Sequence, residues 1–413
     1  LNIDFGITSK SEEFKCHDSI KINYSVGRID ENEFHISPVN LLFEEDIQPQ
    51  NIYCFAINKT KAFFKTQSAD FPFDIFAASF YLLSRYEEYL PHQKDMYGRY
   101  AHENSLAFNE GFLNMPLINI WVKDFVLVIQ NKFPEFTSRW LSGHHPRAIG
   151  SPFTIIPTYD IDIAYCYKHK GFARSIGGFL KSPSLERISV LCGLKKDPFD
   201  IYDCLNALHE KFACKPIYFF LVAAQNSRYD KNILPGNKAM WQLVNDHARK
   251  YTIGLHPSWQ SGDEKSLLKK EKEQLELMSE KNITSSRQHY IRFNLPGGYR
   301  NLLEAGFTDD YSMGYGSING FRASVASSFN WFDLEKNEGT GLRIHPFCYM
   351  EANSYYEQKL NVDKAFEELM HYFTICKEVN GTLITIWHNH MLGTDKLFKG
   401  WGEMYEKFLG TIE

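Results

Sequence analysis

Residues 153–165 read FTIIPTYDIDIAY. An apolar run opens this stretch and polar, acidic residues close it, the pattern of a buried strand whose end meets a cavity. Asp160 and Asp162 stand two residues apart, so in an extended strand both carboxylates point to one side. Downstream the chain keeps alternating. Strands are expected at PIYFFLV (216–222), TIGL (252–255), QHYIRF (288–293), GLRI (341–344) and GTLITIW (381–387). Helices are expected over 197–212, 237–250, 263–280, 299–305, 361–379 and 395–409. Such alternation implies an α/β fold on a parallel sheet, closed as a barrel or doubly wound.

Upstream the pattern differs. Short strands fit NIYCFAI (51–57) and KAFFKT (61–66). One helix fits 73–90, stopped by Pro91, and another fits 116–133 with Pro116 in its first turn. On the first helix Arg85, Glu87 and Glu88 read equally as a solvated face or a functional cluster. LSGHHPRAIGSP (141–152) is rich in Gly and Pro and reads as a linker. The expected organisation is a smaller α+β domain over 1–150 and a strand–helix domain over 151–413.

The 413 residues suit two or three domains. Lys and Arg total 45 against 50 Asp and Glu, a net charge of −5, which disfavours nucleic acid as a partner. No apolar run of about 18 residues occurs, so no membrane span is expected. The opening LNIDFGITSK has neither a basic nor an apolar leader segment, and the eight scattered cysteines contain no C-x-x-C pair. Both readings place the chain in a reducing cytoplasm. No glycine-rich phosphate loop follows any strand, which lowers the case for a nucleotide.

Ionisable residues instead gather where strands end, the active face of parallel α/β barrels. Asp160 and Asp162 follow the first strand. His256 lies in GLHPSWQS (254–261), and His388 and His390 lie in TLITIWHNHML (382–392). RQHYIRFNLPGGYRNLLEAGF (287–307) carries Arg287, His289 and Arg292. One carboxylate of a pair can hold a metal while the other takes a proton from water. His is the commonest transition-metal ligand, and His388 fits a general acid. Each residue also has an ordinary reading: a loop-capping Asp, a structural His, exposed arginines, imidazoles that cap a strand.

The order of these motifs is what gives them weight. A strand-ending D-x-D, then H-P-S, then R-x-H-Y with P-G-G, then a strand-ending His resembles the NodB-homology polysaccharide deacetylases, carbohydrate esterase family four, over about 152–413. The amino-terminal segment resembles that of a bacterial subgroup of deacetylase-like proteins. The resemblance implies a distorted (β/α) barrel of about seven strands. It implies a divalent metal, zinc first with cobalt or nickel as alternatives, and a carbohydrate substrate that loses an acetyl group. Asp160 then matches the family's base and Asp162 a metal ligand, although Ile161 separates two acids that are adjacent in the family. His256 matches the first histidine of the H-[ST]-x-x-H ligand pair. The second falls at Gln260, a poor zinc ligand, leaving His289 to supply the missing nitrogen. Arg287 or Arg292 matches the arginine that orients the base, the backbone near Tyr290 the oxyanion donor, and His388 the general acid. On a weaker alignment GFRAS (320–324), with Arg322, and RIHPFCYME (343–351) line the mouth. Trp259, Tyr290, Tyr299 and Trp387 are sugar platforms or core residues. Gln260 and the shifted acids also admit a second reading, a degenerate barrel that binds glycan without cutting it.

Overall fold

The computed structural model describes residues 5–18, 20–67, 69–134, 153–171 and 184–412; the expected linker at 141–152 lies outside them. The amino-terminal region pairs β1 (Ile22–Tyr24) in parallel with β2 (Phe34–Ile36), and β3 (Phe55–Ile57) antiparallel with β4 (Thr60–Ala62). Its core is aromatic. The helix Leu117–Lys132 buries Leu117, Trp121 and Phe125 at a spacing of four, one stripe of its surface. Phe63 and Phe73 pack edge-on to Trp121, and Phe34 and Phe71 to Phe125.

The expected helix over 73–90 is shorter. It runs Ile75–Leu83, with the Asp74 side chain accepting from the Ala77 N–H, and ends at Arg85, whose φ is +56°. That left-handed residue turns the chain into a short 3₁₀ turn, Tyr86–Glu88. Arg85, Glu87 and Glu88 are not solvated. Arg85 pairs with Glu87 and Glu88, and Glu88 pairs with Arg322, all four side chains being buried. Arg322 was expected at the mouth; both oxygens of Glu88 hold it in this interior network instead.

The rest of the chain is built on one nine-stranded sheet of β5 (Thr154–Ile161), β6 (Ile217–Phe220), β7 (Thr252–Leu255), β8 (Ser285–Ser286), β9 (Asp309–Asp310), β10 (Phe329–Asp333), β11 (Glu338–Ile344), β12 (Tyr349–Met350) and β13 (Thr382–His388). The spatial order is β10-β11-β9-β8-β7-β6-β5-β13-β12, and every pairing is parallel except β10 with β11. Among the described residues the ladder has two ends and does not close, so the expected closed seven-stranded barrel is not seen. Pro157 sits in a central strand without breaking it, because β5 joins β6 only from Thr158 onward. Gly254 sits where strands crowd: a Cβ there would lie 2.5 Å from the Phe219 ring and 2.8 Å from the Ser285 carbonyl. The expected strand at 288–293 is absent. That segment is a 3₁₀ turn over His289–Ile291, and pairing stops at Ser286.

The two regions touch along several lines. The Ile118 N–H donates to the Ser324 carbonyl, Phe80 packs on Phe332, and Arg85 Nη1 donates to the Arg322 carbonyl. All eight cysteines are free, and no described helix is long and apolar enough to cross a membrane.

A buried ion pair that loses one partner leaves an uncompensated charge, so Arg322→Ala should cost about 3–5 kcal/mol in urea unfolding. Burial pushes the Glu88 carboxyl up, but Arg322 and then Arg85 hold it down at about 2. A depressed carboxyl stabilises the fold above its ordinary value of 4.5 and loses that contribution as the pH falls toward 2. The stability lead of the native chain over Glu88→Gln should therefore shrink across that window.

Candidate metal centre

Asp160 ends β5 with its side chain on the same face as Thr158, while Tyr159 and Ile161 are buried on the other. Arg287, just past β8, lies under this strand end with no exposed surface. Its Nη1 donates to Asp160 Oδ1 at 2.9 Å and to Thr158 Oγ1 at 2.6 Å, and its Nε donates to the Tyr311 carbonyl. The guanidinium carbon lies 4.4 Å from the Phe219 ring centroid. Asp160 Oδ2 is left facing His256, 3.8 Å from its Nε2.

Asp162, His256 and His289 each bring one ligating atom to a common point, all within 4.8 Å of one another. His256 Nε2 lies 3.0 Å from Asp162 Oδ1, and His289 Nε2 lies 3.6 Å from Asp162 Oδ2. The far side of each ring is fixed. His256 Nδ1 sits 2.6 Å from the Arg287 carbonyl, which only accepts, so Nδ1 carries a proton and Nε2 is the atom turned to Asp162. His289 Nδ1 donates in the same way to Asp230 Oδ1 at 2.9 Å. A carboxylate or carbonyl behind a ligating imidazole is the usual support of a metal site. Asp162 Oδ1 is buried and accepts no well-aligned hydrogen bond. Two imidazole nitrogens and a carboxylate with an unsatisfied oxygen fit a zinc-class divalent cation.

The charges agree with this fit. Burial pushes the Asp162 carboxyl up, but His289 and His256 hold it well below the usual carboxylate range. Burial pushes His289 down, and Asp162 with Asp230 outweighs it, raising the imidazole to about 9. The bare cluster therefore holds a proton where a cation would sit, and metal would enter by releasing it.

His388 ends β13 beside them, its Nε2 3.5 Å from Asp162 Oδ2. Its backbone N–H and its Nδ1 both face Glu351 Oε1, at 2.5 and 3.0 Å, and Glu351 is wholly buried. Burial lowers the His388 imidazole, but Glu351 and the two aspartates raise it to about 10. His390 is different: burial and the charge of His388 push it down to about 3.

The remaining candidates separate. Arg292 points away from Asp160, with both Asp263 oxygens on its Nη2 and the Trp259 carbonyl on its Nη1. Trp259 and Tyr290 flank the cluster. Trp259 lines a groove of about 1160 Å³ with Tyr229, Ser258, Gln260 and Glu271. Its ring stacks on Tyr229 at 3.9 Å and carries the Arg292 guanidinium at 4.5 Å, so it is not a free sugar platform. Trp387 and Tyr299 have no exposed surface; the Trp387 indole donates to Thr385 Oγ1, and Tyr299 stacks on Phe293. Both are core residues. Gln260 is exposed in a 3₁₀ turn outside the cluster. Asp230, Glu351, Tyr97 and Arg99 were not singled out in the sequence. Glu351 had a signal in its place in the 343–351 segment.

A family model described as a family of unknown function (DUF7033) matches residues 1–134. No curated protein sequence matches the chain. Among solved structures, the chain is similar to a putative polysaccharide deacetylase from Mycobacterium smegmatis, at 13% identity and TM-score 0.43, over 64% of this chain and 86% of that one. It is also similar to Puue allantoinase, at 12% and 0.42, over 67% and 91%. A third is a probable polysaccharide deacetylase from Pseudomonas aeruginosa PAO1, at 11% and 0.40, over 67% and 91%. At such identities no residue role is carried over from them.

Glu351 is the first charge that raises His388. In the metal-free protein, Glu351→Gln should bring the His388 imidazole from about 10 down toward its ordinary 6.5, read from its ring resonances across a pH titration. An unchanged titration would show that the aspartates alone carry the shift.

Proposed function

We propose that this protein is a metal-dependent hydrolase that removes an acetyl group from an N-acetylated (or O-acetylated) sugar or polysaccharide. The observation that carries this reading is the convergence of Asp162, His256 and His289, each imidazole held from behind, next to a second carboxylate anchored on a buried arginine. His289 takes the place that Gln260 leaves vacant in the expected ligand pair. A divalent cation bound there lowers the pKa of water and polarises the acetyl carbonyl.

The chain's own groups carry the protons. Asp160 is the base: Arg287 holds Oδ1, and Oδ2 faces the cluster and takes a proton as water attacks the acetyl carbon. Thr158 and the Phe219 ring keep the guanidinium in place, so Asp160 stays oriented. The backbone N–H of Tyr290 is the candidate donor to the developing oxyanion, since those of His289, Ile291 and Arg292 bond protein carbonyls. His388, kept protonated by Glu351, gives its Nε2 proton to the leaving nitrogen as the carbon–nitrogen bond breaks. The products are acetate and a free amine. The groove lined by Trp259, Ser258 and Tyr229 has room for a sugar chain.

The test begins with chelator-stripped protein titrated calorimetrically with zinc, cobalt and nickel. One site per chain is expected, lost in Asp162→Ala, His256→Ala and His289→Ala. Acetate release from a panel of N-acetylated sugars and oligomers follows. Asp160→Asn should lower turnover about 10²–10⁴-fold while metal stays bound. No saturable site in the native chain, or unchanged acetate release from Asp160→Asn, would overturn the reading.

A further inference from the structure

The turn that presents His289 is unusual. Tyr290 has φ +58° and Ile291 has φ +54°, two successive left-handed residues of which one is β-branched. That region disfavours any side chain, and a β-branched residue most of all, so such a turn persists only where neighbouring contacts impose it. Its own backbone bonds fix the ends: Ile291 N–H to the Gln288 carbonyl, Arg292 N–H to the His289 carbonyl, and His289 N–H to the Pro257 carbonyl. The Tyr290 carbonyl, at the centre, is held from outside. Arg99 Nη1 donates to it at 2.8 Å.

Arg99 belongs to the amino-terminal region, within the residues matched by the family of unknown function. It is buried, and its pose is over-determined. Its Nε donates to Asp95 Oδ2 at 2.6 Å, the backbones of Asp95 and Arg99 pair across a tight turn, and Gly98 in that turn has φ +75°. Its guanidinium lies 4.7 Å from the Tyr97 ring centroid, and Tyr97 packs at 5.3 Å on Tyr290. The other side is cut to fit. A Cβ on Gly316 would lie 2.0 Å from Arg99 Nη1 and 2.9 Å from the Tyr290 carbonyl oxygen. Only a glycine at 316 leaves room for this bond.

We propose that Arg99 is a positioning residue for the ligand His289: it clamps the Tyr290 carbonyl, and the amino-terminal region thereby completes the metal centre of the other region. This rests on the metal-centre reading above. His289 is aimed from two directions, its ring by Asp230 and its backbone by the turn that Arg99 holds. Loss of an outer-shell support of this kind typically weakens metal affinity about 10–100-fold.

The test is zinc affinity, measured by calorimetry on chelator-stripped full-length protein, with the melting midpoint of each metal-free variant recorded beside it. Arg99→Ala removes the donor. Gly316→Ala keeps the arginine but drives it off the carbonyl, and decides the matter if Arg99→Ala does not fold. Arg292→Ala is the control, because it removes a guanidinium that bonds the Trp259 carbonyl instead. At least tenfold weaker zinc binding is expected in both clamp variants, with the control within twofold of the native chain. Smaller losses in the folded clamp variants, or an equal loss in the control, overturn the inference while leaving the metal centre standing. A native chain that binds no zinc overturns the centre and this inference together.

Discussion

A guanidinium with no exposed surface has to be paired, and the pairing of Arg287 organises this molecule. Stripping water from a cation costs several kcal/mol, which only well-placed partners offset. Arg287 finds four of them on three elements: Thr158 and Asp160 on β5, the Tyr311 carbonyl past β9, and the face of Phe219 on β6. Those contacts fix how the central strands end relative to one another. The carbonyl of the same residue then accepts from His256 Nδ1, so one residue anchors the base with its side chain and orients a ligand with its backbone. Moving Arg287 would disturb both carboxylate and imidazole, whatever the rest of the sheet did.

The parts of this arrangement that were legible in the sequence are those with a strong local period. β5 and β13 are long apolar runs, and their ends placed Asp160, Asp162 and His388 on one rim. Strand TIGL and the helices near 237–250 and 361–379 are likewise continuous local signals. The segment 288–293 failed for a definite reason. Its alternating aromatic and aliphatic residues imitate a strand, but successive positive φ values at Tyr290 and Ile291 coil it into a turn. No propensity anticipates that geometry, because it is imposed by partners far away in the chain. The same holds for Arg85 and Glu88: a charged run near a helix end reads as solvated until Arg322, more than two hundred residues on, arrives to bury it. Asp230 sits in a loop without periodicity, and only the fold places it behind His289.

The amino-terminal region reads as a separate unit in sequence, yet two of its arginines reach into the sheet-bearing region. Arg85 donates to the carbonyl of Arg322, and Arg99 to the carbonyl of Tyr290. Both acceptors are backbone groups in irregular segments, where no neighbouring strand satisfies them. A buried carbonyl without a donor is expensive, and a long cationic side chain is well suited to reach one from outside. The amino-terminal region thus does for these loops what ladder hydrogen bonds do for the strands.

Three imidazoles surround Asp162 at 3.0, 3.6 and 3.5 Å, and distance alone does not tell ligand from acid. What lies behind each ring does. His256 backs onto a neutral carbonyl, which holds the ring without adding negative charge and turns its outer nitrogen to Asp162. His289 backs onto Asp230, whose own carboxyl burial raises and the His289 hydrogen bond, with others, pulls below its ordinary value. His289 holds a proton in the bare protein and can exchange it for a cation. His388 backs onto Glu351 with both its ring and its backbone N–H, inside a fully buried pocket. That double contact ties a negative charge to this one ring and favours its protonated state. A cation settling between Asp162, His256 and His289 would repel a second positive charge, and Glu351 is the group that still lets His388 carry one. The division of labour among like residues is therefore written in the atoms behind them.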